Sequence, residues 1–371
     1  MKYSRYCRSL LSTPATAVHR YAAGHRSGAD ISMVDLEDSV PPARKEEARR
    51  RAEGFFTLPT AATTRCAVRI NTISGPDGLR DLLALRQYAV KPPLVLIPMV
   101  ESRRDVEIVE HVLGPECPDT EFIAVVETPR GLQHAPGIAS SSRRLRALVF
   151  GSADYAFATG ARITWDALAY ARGVLVNSAR AAGVEVMDAP FFEVHDDGAL
   201  RCEAALAKDM GFSGKIAVHP RQVPLINEAF SPDDDTLGRA RRIVAAGREN
   251  GRDITVVDGV MIGIPFFEAS QRLIEEFGDG LPAPSREFGD GPPGRSEEFG
   301  TGLPDTSGEF GTGLPGTSGD GRAGPSAPPR RGEGAPPPRP AAPPHRHQTP
   351  AAPHPYPDAP RSTTATQERE Q

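Results

Sequence analysis

Short apolar runs recur through the first two-thirds of the chain, and each gives way to a polar or charged residue. The eight runs are Arg8 to Ser12, Ile31 to Leu36, Cys66 to Ile70, Leu94 to Ile97, Phe122 to Val126, Leu148 to Phe150, Val184 to Met187 and Ile216 to Val218. Runs of this length between turn residues read as buried strands, and the stretches separating them have helix length. Strands alternating with helices imply a parallel sheet covered by its own crossovers. Eight such units in roughly 220 residues match a closed (β/α)8 TIM barrel, an α/β fold in which catalytic groups gather where the strands end.

The strand ends carry a consistent set of polar residues. After the first strand, Thr13-Pro14 opens a helix through His19, Tyr21 and Ala22 that stops at Gly28. The second ends in Glu37-Asp38, followed by Pro41-Pro42 and a charged helix from Ala43 to Glu53. The third leaves Arg69 and Asn71 at its tip, and the turn Ser74-Gly75-Pro76-Asp77-Gly78 starts a helix from Leu79 to Tyr88. The fourth gives Pro98-Met99-Val100-Glu101. The fifth ends in Glu127-Thr128-Pro129-Arg130-Gly131, where Pro and Gly mark a tight strand-to-helix turn that opens backbone space beside the acid. Gly151-Ser152-Ala153-Asp154-Tyr155 follows the sixth, and Thr164 N-caps a helix that runs to Gly183 with Asp166 in its first turn. The last two strands deliver Asp188-Ala189-Pro190 and His219-Pro220.

Composition divides the 371 residues near Phe277 into a barrel domain, 1–275, and a tail, 276–371. Pro and Gly make up about a third of the tail, which predicts a disordered low-complexity segment unable to offset its ordering entropy. Within it Glu-Phe-Gly recurs at Phe277, Phe288, Phe299 and Phe310, a spacing too rich in Gly and Pro for a helical solenoid. The spaced Phe residues leave a partner-contact role open. About four units of the formal charge of -5 fall in the tail, so the barrel is nearly neutral and offers nucleic acid no basic stripe. Cys7, Cys66, Cys117 and Cys202 show no paired spacing, which fits a reduced, cytoplasmic protein. No apolar stretch approaches the ~20 residues of a membrane span.

Glu127 and Asp154, on neighbouring strand ends, are positioned to share one cation. Cleaving a carbon–carbon bond to leave an enolate and a 2-oxo acid needs a Lewis acid on the carbonyl and carboxylate oxygens and a fixed positive charge nearby. Two carboxylates completed by water and substrate suit Mg²⁺, and Arg69 could hold the substrate carboxylate bidentately. Blander readings stand beside these: Glu127 and Asp154 as exposed loop acids, Arg69 as a barrel-end partner of Glu37 or Asp38, and one of those two acids as a solvated or capping residue. His219 reads as a strand-end packing residue, His195 and Asp196 as neighbours that do not face each other, Trp165 and Phe191 as core, and His345 and His347 as part of a basic patch in the tail.

Seven segments follow one another in order: Arg8-Ser9-Leu10-Leu11, Asp35-Leu36-Glu37-Asp38-Ser39-Val40, Arg69-Ile70-Asn71, Glu127-Thr128-Pro129-Arg130-Gly131-Leu132, Phe150-Gly151-Ser152-Ala153-Asp154-Tyr155, Phe191 to Asp196 and Lys215-Ile216-Ala217-Val218-His219-Pro220. They resemble successive motifs of the citrate lyase β-subunit-like proteins, of the HpcH/HpaI aldolase group in the phosphoenolpyruvate/pyruvate barrel superfamily. The resemblance spans about residues 5 to 265. It implies a Mg²⁺-dependent lyase, usually a homotrimer, that cleaves or forms a carbon–carbon bond in a 3-hydroxyacyl thioester such as malyl-, citramalyl- or citryl-CoA. It further implies that Glu127 and Asp154 hold the metal, that Arg69 binds the oxo acid, that Glu37 and Asp38 support the site, and that Arg8 lies near the phosphate or pantetheine part of the thioester. Two positions depart from the family pattern. Gly263 stands where many relatives carry an Asp that enters the neighbouring subunit's site, with Asp258 five residues upstream as its substitute only if the segment shifts. Met99 stands where relatives often have Lys. Two further readings stay open: a CoA-independent 2-oxo-acid aldolase and, because of Gly263, a barrel that binds metabolites or partners without turnover.

Overall fold

The chain folds as a closed barrel of eight parallel strands in sequence order, seen in a computed structural model that describes residues 7–249 and 254–278. The strands are β1 (Ser9–Pro14), β2 (Ile31–Asp35), β3 (Arg65–Arg69), β4 (Leu94–Ile97), β5 (Glu121–Val126), β6 (Leu145–Phe150), β7 (Glu185–Asp188) and β8 (Gly214–Ala217). Closure comes from β8 pairing with β1 through Ser9↔Lys215, Leu10↔Ile216 and Leu11↔Ala217. Every predicted run overlaps one strand. The largest shift is in β6, which starts at Leu145 rather than Leu148 because Arg146, which breaks the apolar run, lies 3.6 Å from Glu121.

Period-two alternation sorts the strand residues into two cores. Leu10, Ile31, Met33, Ala67, Leu94, Leu96, Ile123, Val125, Ala147, Val149 and Met187 fill the barrel interior. Their neighbours in sequence, among them Leu11, Val34, Val68, Val95, Ala124 and Leu148, pack outward against the helices. Each of the Leu, Ile, Val and Met side chains among them contributes about 1.5–3 kcal/mol by leaving water.

The helical layer comprises α1 (Tyr21–His25), α2 (Lys45–Phe56), α3 (Pro76–Gln87), α4 (Arg103–Leu113), α5 (Pro129–Gln133), α6 (Ala135–Ala139), α7 (Ser152–Thr159), α8 (Trp165–Ala182), α9 (Asp197–Met210) and α10 (Gln222–Phe230). Gly28 and Gly183 take left-handed φ values of 79° and 71° where helices were expected to stop. Thr164 occupies the N-cap of α8 as expected, though its side chain makes no capping hydrogen bond. Between barrel and helices lies a buried ionic set: Asp188 accepts from Arg172 and Lys215, each at 2.7 Å, and Lys215 also reaches Glu203 at 2.6 Å. Asp188 thus faces the helix layer and not the barrel mouth.

Beyond the barrel, α11 (Asp234–Glu249), a hairpin of β9 (Thr255–Val257) and β10 (Val260–Ile262), and α12 (Ile264–Phe277) form an arm around Ile243, Val257 and Ile262. Helix α12 continues two residues past the predicted domain boundary at 275. The predicted disordered tail otherwise lies outside the described residues, as do three of its four repeated Phe residues. Among the described residues, no helix is long and apolar enough to cross a membrane.

Candidate active site at the carboxyl ends of the strands

Asp35, the last residue of β2, is fully buried on the inward face that also carries Ile31 and Met33. A buried carboxylate requires a partner, and Arg69 at the end of β3 supplies one: Nε and Nη2 donate to the two Asp35 oxygens at 2.7 Å each. Burial alone would raise the Asp35 carboxyl; the Arg69 guanidinium overrides it and holds the group at about 2. Asp35 also shapes the loop that follows, accepting from the Glu37 N–H at 2.9 Å and from Ser39. The remaining terminal nitrogen of Arg69, Nη1, lies 2.7 Å from Glu37 and 3.3 Å from Asp38.

The expectation that Arg69 offers a bidentate fork to substrate is therefore corrected. Asp35 occupies that fork, because an acid without solvent access cannot be left unpaired, which leaves Nη1 to Glu37 and Asp38. Glu37 and Asp38 lie beside that nitrogen. Burial pushes the Glu37 carboxyl up to about 9 against the pull of Arg69, with Asp38, Glu127 and Asp35 adding to the rise.

The loop is gripped from behind by Lys45 at the start of α2. Its Nζ donates to the Leu36 and Glu37 carbonyls at 2.8 Å each and to Asn71 Oδ1. Asn71 in turn donates to Leu36 O and to Asp81, and Arg49 pairs with Asp81 at 2.9 Å.

Across the mouth, Glu127 follows β5 and Asp154 lies in the first turn of α7, after β6. Their carboxyls lie close enough to act on each other's ionisation. Burial pushes Glu127 up to about 7, with the Met99 N–H opposing the rise and the Asp154 charge adding to it. Asp154 is raised by burial and by the charge of Asp38. Thr128 ends β5 by capping α5, its Oγ1 accepting from the Gly131 N–H at 3.0 Å, with Pro129 in the first turn as the sequence predicted.

Two carboxyls this close share either a proton or a cation. Their oxygen-only chemistry suits Mg²⁺, and among the described residues no group of three or more His, Cys, Asp or Glu converges as a ligand set. Such a site would leave its other positions to water and substrate, which Mg²⁺ favours. The residues present therefore fit the ion.

Arg8 does not join this constellation. It precedes β1, at the opposite end of the barrel, where it donates to both Asp30 oxygens at 2.8–2.9 Å and to Ser231 at 2.8 Å. Strand direction decides this: a residue before a barrel strand sits at the amino-end face. His195 bonds Arg221 and Asp196 caps α9, so these two do not pair. Asp258 sits in the β9–β10 turn at φ 52°, bound to Arg242 at 2.8 Å. Sequence reasoning missed Asp35 and Lys45 as site-builders; only the inward alternation of Ile31, Met33 and Asp35 signalled the first.

Residues 8–220 match the model of the HpcH/HpaI aldolase/citrate lyase family. The chain belongs to that family. It is similar to citrate lyase subunit beta of Haemophilus influenzae, 29% identical over 74% of this chain and 98% of the relative. L-malyl-CoA/beta-methylmalyl-CoA lyase of Cereibacter sphaeroides is 30% identical over 67% of this chain and 88% of that enzyme. The structure of protein CitE from Mycobacterium tuberculosis, in complex with magnesium, acetoacetate and coenzyme A, superposes with a TM-score of 0.62 at 29% identity, covering 73% of this chain and 98% of that one. As an HpcH/HpaI family member the protein is a carbon–carbon lyase.

Proposed function

We propose that this HpcH/HpaI lyase cleaves or forms the carbon–carbon bond of a 3-hydroxyacyl-CoA thioester such as malyl-, citramalyl- or citryl-CoA, with Mg²⁺ held by Glu127 and Asp154. The observation that carries the reading is the pair itself: two neighbouring, interacting carboxyls at the end of the barrel where this fold places its chemistry. The relatives named above, which include lyases of a CoA thioester and a structure holding magnesium and coenzyme A, support the substrate class. Bound Mg²⁺ supplies Lewis-acid stabilisation of the oxygens that gain charge.

In the cleavage direction the bond between the thioester α-carbon and the hydroxyl-bearing carbon breaks. Its electron pair passes to the thioester as an enolate, and the hydroxyl oxygen becomes the carbonyl of a 2-oxo acid. The hydroxyl proton passes to water in the site, and the enolate takes up a proton from water at its α-carbon. Arg69 Nη1 offsets the charge of the substrate carboxylate, and Glu37 and Asp38 support the site through water or hydrogen bonds. The Asp35 fork keeps Arg69 aimed throughout.

We read the molecule as a cytoplasmic homotrimer. Its four cysteines are all free, which fits a reducing compartment, and Ile254, Val256, Met261, Ile264 and Phe266 expose an apolar surface on the arm for a second copy. Cleavage of CoA esters that EDTA abolishes and Mg²⁺ restores is the expected result; metal-independent turnover would end the proposal. Assaying free hydroxy-oxo acids in parallel separates a CoA-independent aldolase.

Gly263 supports a second reading, a barrel that binds oxo acid and Mg²⁺ without turnover. A side chain there meets only Pro265 Cδ, at 3.9 Å from the Cβ position, so an Asp has room. Under this reading Gly263→Asp raises thioester cleavage by about 10² to 10⁴-fold, the usual worth of a positioned acid or base. Calorimetry on the unaltered chain would show binding without reaction.

A further inference from the structure

Glu127 is held between two pieces of backbone, and both pieces are unusual. Met99, just past β4, has φ 55°, a left-handed conformation that among the described non-glycine residues only Asp258 shares. L side chains disfavour it, and it persists only where the surroundings fix it. The surroundings here do so. Val100 N donates to Val125 O at 3.1 Å, Glu101 N and Ser102 N both donate to Asp105 at 2.8 Å, and Thr128 Oγ1 donates to Glu101 at 3.0 Å. Gly131 adds a close approach, since a Cβ there would overlap the Val100 carbonyl oxygen. The product of this conformation is a single contact: the Met99 N–H donates to Glu127 Oε1 at 2.6 Å.

Gly151, after β6, closes the other side. Its φ of -92° is open to any residue, so conformation does not explain the glycine. Space does: a Cβ at this position would overlap both Glu127 Cβ and Glu127 Oε2.

We propose that Met99 and Gly151 are positioning residues for the cation, and the inference rests on the assignment of Glu127 and Asp154 as its ligands. The left-handed Met99 amide fixes one oxygen of Glu127, and the bare Gly151 backbone admits the other. Together they set the direction in which the carboxylate is presented. Both act through Glu127 alone, and the side chain at 99 matters only through the φ it permits.

Calorimetric titration of the full-length protein with Mn²⁺ and Mg²⁺, alongside melting temperatures, tests this. Met99→Val, whose branched side chain resists positive φ, is expected to weaken cation binding by at least about 10-fold, the range typical of groups that orient a metal ligand. Gly151→Ala is expected to do the same. Met99→Gly, which keeps the N–H and adopts positive φ freely, is expected to recover the affinity that Met99→Val loses. A purely structural role would lower the melting temperature of Met99→Val and leave its dissociation constant at the wild-type value. If Met99→Val and Gly151→Ala bind cation like wild type while Glu127→Gln does not, the positioning proposal is overturned and the ligand assignment stands. If the wild-type protein binds neither cation, or Glu127→Gln binds as tightly as wild type, the ligand assignment itself has failed, and the inference with it.

Discussion

The two ends of the barrel treat charge in opposite ways. At the amino ends of the strands each acid has an arginine: Arg8 lies 2.8 Å from Asp30, Arg65 pairs with Glu121, Arg146 lies 3.6 Å from Glu121, and Arg180 lies 3.2 Å from Glu185. At the carboxyl ends Arg69 is paired with Asp35, Glu37 and Asp38, Glu127 and Asp154 lie within reach of its charge, and Lys45 sits behind the loop. Balanced pairs close one face and stabilise it. The excess of acid on the other face is a standing electrostatic cost, of the kind a protein keeps where a cation or substrate is to be bound.

The contrast makes predictions of decreasing size. Glu127→Gln or Asp154→Asn should lower kcat/KM for thioester cleavage by about 10³-fold, since Lewis-acid stabilisation is worth several kcal/mol. The metal-free melting temperature of either variant should stay level or rise; a clear fall would erase the distinction between the ends. Arg8→Ala should do the reverse, costing about 3 kcal/mol in chemical denaturation because Asp30 is left buried without its partner, with Mn²⁺ affinity unchanged.

A smaller effect, of about 2 kcal/mol, should follow pH through Asp35. Its folded value of about 2 lies below the ordinary 3.8. The group therefore adds stability that is fully present above pH ~4 and disappears as pH falls through 2. Denaturation midpoints measured between pH 5 and 2 should lose this component, and Arg69→Met, which leaves burial to raise the Asp35 carboxyl, should abolish or reverse it. Least of all, Arg146→Ala should change stability by no more than about 0.5 kcal/mol, because its pair with Glu121 is long and half-exposed.

Much of this architecture is legible in the sequence, for stated reasons. Strands buried on both faces read as apolar runs, so all eight were visible, and the start of β6 slipped only because Arg146 interrupts the pattern. Glu127 and Asp154 stand out as acids just beyond such runs, and the fold brings them together. The rest depends on information that residue types do not carry. Arg8 belongs to a recognisable motif, yet which end of a strand it occupies follows only from chain direction in the closed barrel. Asp35 hides inside an apolar run. The left-handed turn at Met99 contradicts the preference of its own residue type and is imposed by neighbours distant in sequence. Lys45 acts through the reach of a long side chain from a different element.

That reach sets where this enzyme can be retuned. The ammonium group that pins the acidic loop is carried by a helix on the outer wall, so the catalytic mouth takes its shape partly from a surface that substrate never meets. Drift in the side chains that seat this helix against its neighbour would tilt Glu37 and Asp38 without altering either one. Adaptation to a new acyl group could thus begin on the far side of the wall, beyond the reach of any comparison confined to the residues lining the mouth.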